Sequence, residues 1–137
     1  MATLKWSTPA ALTSNLLTTQ LNSLADGSQS ASITYNNSSN VELSALVSIS
    51  LGSFTPGTDP YFLLRVLAHD GWQSPDPVGG DIYKLAIQTG TGTKYITHPG
   101  IRLYPFSLRL YITNHAGAAL ASSGHTMQLR TYNEASS

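Results

Sequence analysis

From Val41 to Leu51 apolar and polar side chains alternate: Val41, Leu43, Ala45, Val47, Ile49 and Leu51 fall on one face, Glu42, Ser44, Ser48 and Ser50 on the other. Successive side chains of a strand point to opposite faces, so this run predicts a strand with one dry and one wet side. Leu46 alone interrupts the polar face, as single exposed leucines commonly do. The alternation returns in Phe106–Ile112 and in His125–Tyr132, on either side of a connector of small residues from Ala116 to Gly124. Shorter runs predict strands over 31–35, 61–68 and 82–89. In the second of these Arg65 sets the outward phase and turns Phe62, Leu64, Val66 and Ala68 inward; in the third Leu85 and Ile87 point inward, Lys84 and Gln88 outward. Turn chemistry separates the runs: Asn36–Asn40, the proline-containing stretch Phe54–Pro60, the long break His69–Gly80, and the glycine-rich Gly90–Thr93, which predicts a hairpin to Tyr95–Ile96. His98–Arg102 then reads as a connector.

The N-terminal pattern differs. Leu12, Leu16, Leu17, Leu21 and Leu24 recur near the helical period, Thr8 suits an N-cap, Pro9 the first helical position and Gly27 a left-handed cap, so a short helix is expected over 12–24. The many Ser, Thr and Asn side chains of this stretch compete for their own backbone, and an extended arm is the alternative. Ahead of it, Leu4 and Trp6 are large apolar groups on a chain end, which either folds back on its own domain or docks on a neighbour. The tail Asn133–Ser137 reads as frayed or peripheral.

Short strands with long connections where the chain changes sheet describe an all-β domain: a two-sheet antiparallel β-sandwich, jelly roll or related Greek key, with a short N-terminal helix or arm. Residues 1–137 form one domain, with the arm and helix over 1–27 and the sandwich over 31–132. That length buries a core without covalent cross-links, and the chain has no cysteine to make one. Charged residues make up 10% of the chain, against about 25% in an ordinary soluble domain, and the formal net charge is zero. Ser, Thr and Asn carry the polarity instead, which suits a surface that lies against other subunits. The seven Lys and Arg residues are scattered singly, so nucleic acid is not expected as a partner. No apolar run approaches the roughly 20 residues of a membrane span, and the first residues lack a signal-peptide core, so a membrane is not expected either.

Candidate chemistry is sparse. His69, His98, His115 and His125 lie at no metal-ligand spacing, and neither a metal nor another cofactor is expected. No Gly-x-Ser-x-Gly elbow frames a serine. Asp59, Asp70, Asp76 and Asp81, the carboxylates available for glycoside hydrolysis, sit where Asp commonly shapes turns. Gly90–Lys94 lacks the Gly-Lys-Ser/Thr ending of a phosphate loop and has no helix behind it. No catalytic residue is assigned, and an enzyme is not expected. Aromatic groups remain: Tyr61, Trp72, Tyr83 and Tyr104 lie near loops, where such side chains form either sugar-stacking platforms or protein interfaces. Leu4, Trp6, Trp72 and Tyr104 are the candidate interface anchors, because desolvated large side chains dominate interface energy.

Leu16–Gly27, a short strand, Asn36–Leu43 and Leu63–Gly71, in that order, resemble small virion proteins of tailed bacteriophages, the jelly-roll decoration or cement proteins of the capsid exterior. The similarity runs from about residue 12 to residue 132. It implies a non-enzymatic subunit of the outer capsid surface, present in the host cytoplasm during assembly, that bridges and stabilises major capsid protein subunits, often as a homodimer. No capsid-binding motif accompanies the resemblance, and a tail- or appendage-associated receptor- or glycan-binding sandwich is the alternative.

Overall fold

A computed structural model of the chain describes residues 4–6, 8–38, 42–69 and 80–136. The strands are β1 (Leu4–Trp6), β2 (Ile33–Asn36), β3 (Ser44–Phe54), β4 (Tyr61–His69), β5 (Asp81–Ala86), β6 (Gly92–Arg102), β7 (Ser107–His115), β8 (Thr126–Tyr132) and β9 (Glu134–Ser136). One sheet has the order β2-β7-β4-β5, a second β6-β3-β8, and among the described residues β1 pairs only with β9. Every pairing is antiparallel. No helix occurs among the described residues, and the fold is an all-β, two-sheet antiparallel sandwich.

Strand alternation decides what faces inward. β3 buries Ala45, Val47, Ile49 and Leu51, in register with Ile96 and Ile101 of β6 and with Met127 and Leu129 of β8. The other sheet answers with Phe62, Leu64 and Val66 of β4, Leu108, Leu110 and Ile112 of β7, Leu85 of β5 and Ile33 of β2, all buried. Each sheet therefore removes the other's apolar face from water, which is the main term favouring the fold. The inward phase expected for Phe62, Leu64 and Val66 holds, whereas Ala68 is exposed at the strand's end.

The helix expected over 12–24 does not form, and the extended arm takes its place. Residues 8–17 run beside the outer edge of β8, where the backbone N–H groups of Ala10, Thr13 and Leu16 donate to the carbonyls of Thr131, Leu129 and Met127 at 2.9, 2.8 and 2.8 Å. Side chains fill in where the backbone spacing does not match: Thr13 Oγ1 accepts from the Leu129 N–H at 3.0 Å and Asn15 Oδ1 from the Met127 N–H at 2.9 Å. The polar side chains that lower helix propensity are thus the ones that hold the arm on the sheet. Leu17 and Leu21 are buried and Leu16 and Leu24 pack against the core, whereas Leu12 is exposed; Leu21 lies in a turn over 18–23, and Leu16, Leu17 and Leu24 lie on either side of it.

With the arm counted, the layers read arm-β8-β3-β6 and β2-β7-β4-β5. Every connection from the arm to β8 crosses between them except the one from β4 to β5, which is the strand adjacency of a jelly roll. The hairpin expected after β5 is therefore absent: residues 87–91 carry the chain across the sandwich, and β6 continues through His98–Arg102 beside β3. β7 and β8 likewise sit in opposite sheets. Lys94 explains itself in this setting. Its side chain points inward from an edge strand and its ammonium donates to the carbonyls of Thr89, at 3.2 Å, and Gly90. An inward charge of this kind blunts a sheet edge against pairing with another chain.

Replacing Asn15 by Ala removes the acceptor of the Met127 N–H and of the Leu17 N–H. Asn15→Ala is expected to lower the unfolding free energy by about 1–2 kcal/mol, read as a lower urea midpoint at unchanged slope. An unchanged midpoint would contradict the role given to the arm.

Candidate functional site

The two ends of the sandwich are built differently. At one, the loops after β3, β5 and β7 and the turn after the arm bind one another. Gly57 N–H donates to Ala116 O at 2.7 Å, Thr55 Oγ1 and Thr91 Oγ1 lie 2.7 Å apart, and Ser23 N–H donates to Ala121 O at 2.9 Å. Backbones meet so closely that a Cβ on Gly117 would lie 2.9 Å from the Gly57 Cα, and one on Gly52 2.2 Å from the Ser123 carbonyl oxygen. Buried Asn114 secures this end, donating to Leu24 O and Ala118 O and accepting from the Ala116 N–H. Buried His125 does the same: Nδ1 accepts from the Gly52 N–H, which leaves Nε2–H to donate to Ala121 O, 2.8 Å away.

The opposite end collects the start of β3, the ends of β2, β6 and β8, and the chain on both sides of β7's first residue. A second buried asparagine, Asn37, organises it by donating to Glu42 O and Tyr104 O and accepting from the Glu42 N–H at 2.8, 3.0 and 3.0 Å. Around this knot lie two of the large apolar side chains that remain in water, Leu43, 54% exposed, and Phe106, 47%; Ile82, 51% exposed, is on the outward phase of β5, in register with Arg65 midway along β4. Tyr104 stands among them, half-buried, with its hydroxyl donating to Asp81 Oδ2 at 2.7 Å and the Arg102 guanidinium 5.6 Å from its ring centre. The neighbouring Tyr83 hydroxyl accepts from the Arg102 N–H at 2.9 Å, and its ring meets His98 edge-on at 5.7 Å.

The anchors expected from sequence distribute as follows. Tyr104 is at this end. Leu4 and Trp6 belong to β1, whose register places Leu4 opposite Ser136 and Trp6 opposite Glu134 of β9, directly beyond the end of β8. The N-terminal strand thus returns to its own chain through its backbone. Trp72 lies outside the described residues; the described positions on either side of it, His69 and Gly80, are at the same end, since His69 pairs with Ser107. Leu43, Phe106 and Ile82 were missed because period-two reading assigned Leu43 to the core face and Ile82 to an ordinary strand. A leucine one residue ahead of a strand's first paired position has left the dry face.

The three aromatic groups weighed for sugar stacking that lie among the described residues are already engaged. Tyr83 and Tyr104 hold Arg102 and Asp81 between them, and the Tyr61 ring is stacked on His115, 4.9 Å between centroids at 20°, with Lys84 Nζ 4.4 Å from its centre. Among the described residues no three His, Cys, Asp or Glu side chains converge as metal ligands. Among the described residues no helix is long and apolar enough to cross a membrane.

The hydrogen bond to Asp81, reinforced by desolvation and by that carboxylate's charge, raises the Tyr104 phenol above its ordinary value of 10.0. The contact therefore contributes its full stabilisation below the unfolded phenol's pKa and loses it as pH rises through the higher folded value. In an ultraviolet difference titration against Tyr104→Phe, Tyr104 should ionise above the normal tyrosine range, and Asp81→Asn should bring it back down. Identical titrations in the two backgrounds would contradict the contact.

Comparison with protein-family models, with curated proteins and with solved structures gives no match to this chain.

Proposed function

We propose that the chain is a non-enzymatic structural protein of a virion, a decoration or cement subunit that docks on the outside of a capsid and bridges major capsid protein subunits. The observation that carries this reading is the pair of exposed apolar side chains, Leu43 and Phe106, on the segments that meet at Tyr104 at one end of the sandwich. Strand addition is a poor route for a partner. The arm covers β8, inward Lys94 and Pro99 blunt β6, β2 has four residues, and β5 carries Lys84 on its outer face. Association then falls to side-chain surfaces, and apolar groups rimmed by polar ones are what an interface core requires.

A chain with 10% charged residues also suits close packing among neighbours in a shell, where repeated modest contacts add up. A second copy is the other partner under this reading. The β1–β9 ribbon is paired with no other strand among the described residues, and it is the one place where a second copy could add a strand, the sandwich edges being blunted.

Co-sedimentation with capsids that lack this protein tests the proposal. Wild-type chain should bind to saturation at a fixed ratio. Leu43→Asp and Phe106→Asp should each weaken binding about tenfold or more, since a charge buried in an interface core costs well over the 1.4 kcal/mol of one decade. Their unfolding midpoints should match the wild type, because both side chains are exposed. Absence of saturable capsid binding, or binding insensitive to both changes, would overturn the reading.

A further inference from the structure

At the end remote from Leu43 and Phe106, the outer face of the four-stranded sheet carries an open groove of about 410 Å³, lined by Asp59, Pro60, Tyr61, Lys84, Ile87 and Thr89 among others. That size lies within the range of small-ligand sites. Two features distinguish it from ordinary surface relief. Outward side chains on a sheet normally keep their rotamer freedom, yet here Lys84, Tyr61 and His115 form an ordered row, with the ammonium over one aromatic ring and that ring stacked on the next. Asp59 has φ +48°, one of two non-glycine residues in the left-handed region among the described residues. The loop is held there by the Ile87 N–H donating to Pro60 O at 3.0 Å. Backbone strain that a fold maintains at the rim of a groove is a pointer to a ligand.

The lining chemistry selects the ligand class. One carboxylate and one ammonium give the groove no net formal charge, so an anion would meet Asp59 and a cation would meet Lys84. A neutral molecule rich in hydroxyl groups uses both at once, donating to the carboxylate, accepting from the ammonium and exchanging a hydrogen bond with the Thr89 hydroxyl. Pro60 and Ile87 supply apolar surface for its C–H face. We propose that this groove binds a neutral saccharide. Lys84 and His115 already occupy the Tyr61 ring, so recognition rests on hydrogen bonds and on the apolar floor, not on a sugar stacked against the tyrosine. The site stands independently of the capsid reading. If that reading holds, docking through the Leu43 end leaves the groove facing outward.

Saturation-transfer NMR and titration calorimetry on the full chain test the proposal. The probes are glucose, galactose, mannose, N-acetylglucosamine and their disaccharides, with glucuronate and glucosamine as charged comparators. At least one neutral sugar should bind saturably with Kd on the order of millimolar. Asp59→Gly, which suits the positive φ, and Lys84→Ala should each weaken it about tenfold or more, while Thr97→Ala on the opposite sheet leaves it unchanged. Failure of every neutral sugar at about 50 mM, tighter binding of glucuronate or glucosamine, or wild-type affinity in either groove variant would each overturn the assignment.

Discussion

The hydrogen bonds between residues 10–16 and the free edge of β8 are the contact on which the rest of the structure depends. Without them β6-β3-β8 is a three-stranded sheet with an open edge, and one layer of the sandwich is narrower than the other. With them, the chain that follows is delivered to the end of the sandwich, where Leu17 and Leu21 close the core. The same turn then gives Ser23 and Leu24 to the loop after β7, through Ser23 N–H to Ala121 O and Leu120 N–H to Leu24 O. One row of bonds therefore completes a sheet, seats two core leucines and ties down a set of loops.

A division of labour between the ends follows from that closure. Where loops are bound to one another by backbone contacts too tight for a Cβ, there is no loose surface for a large partner, only a defined groove between strand ends. Where a single buried asparagine organises the turn, apolar side chains are left outside, beside the β1–β9 ribbon. The two buried asparagines, Asn37 and Asn114, make the same three-bond pattern at opposite ends, and neither has a substitute among apolar residues of its size. With so few charges in the chain, specificity on either surface has to come from shape and hydrogen bonds.

Most of the sandwich was legible in the sequence because strand alternation is a local property. Ala45, Val47, Ile49 and Leu51 could be placed inward from their spacing alone, and β4 likewise from Arg65. What the pattern could not convey is which strand each one pairs with. Gly90–Thr93 has hairpin chemistry, but the inward Lys94 and the cross-sandwich path of residues 87–91 are decided by distant partners. The N-terminal leucines read first as a helix and only alternatively as the extended arm that forms, because helical spacing and a sheet-edge arm that enters a turn place apolar groups at similar intervals. Thr13 and Asn15 held the clue, as side chains better suited to replacing backbone acceptors than to sitting in a helix. Of the candidate site only Tyr104 was visible in advance. Leu43 and Phe106 are exposed through their places next to the first residues of β3 and β7, which residue type does not reveal, and Ile82 through the outward phase that it shares with Lys84.

The central claim is that the Leu43–Phe106 end is a docking surface on a capsid shell. Cryo-electron microscopy of the intact particle that carries this chain tests it most directly, at a resolution that distinguishes the two ends of the sandwich. The account requires density on the outer shell, with Leu43, Phe106 and Tyr104 against major capsid protein and the Asp59–Lys84 groove turned to solvent. Density at the tail alone, no density on the particle, or a sandwich bound by its opposite end would contradict it.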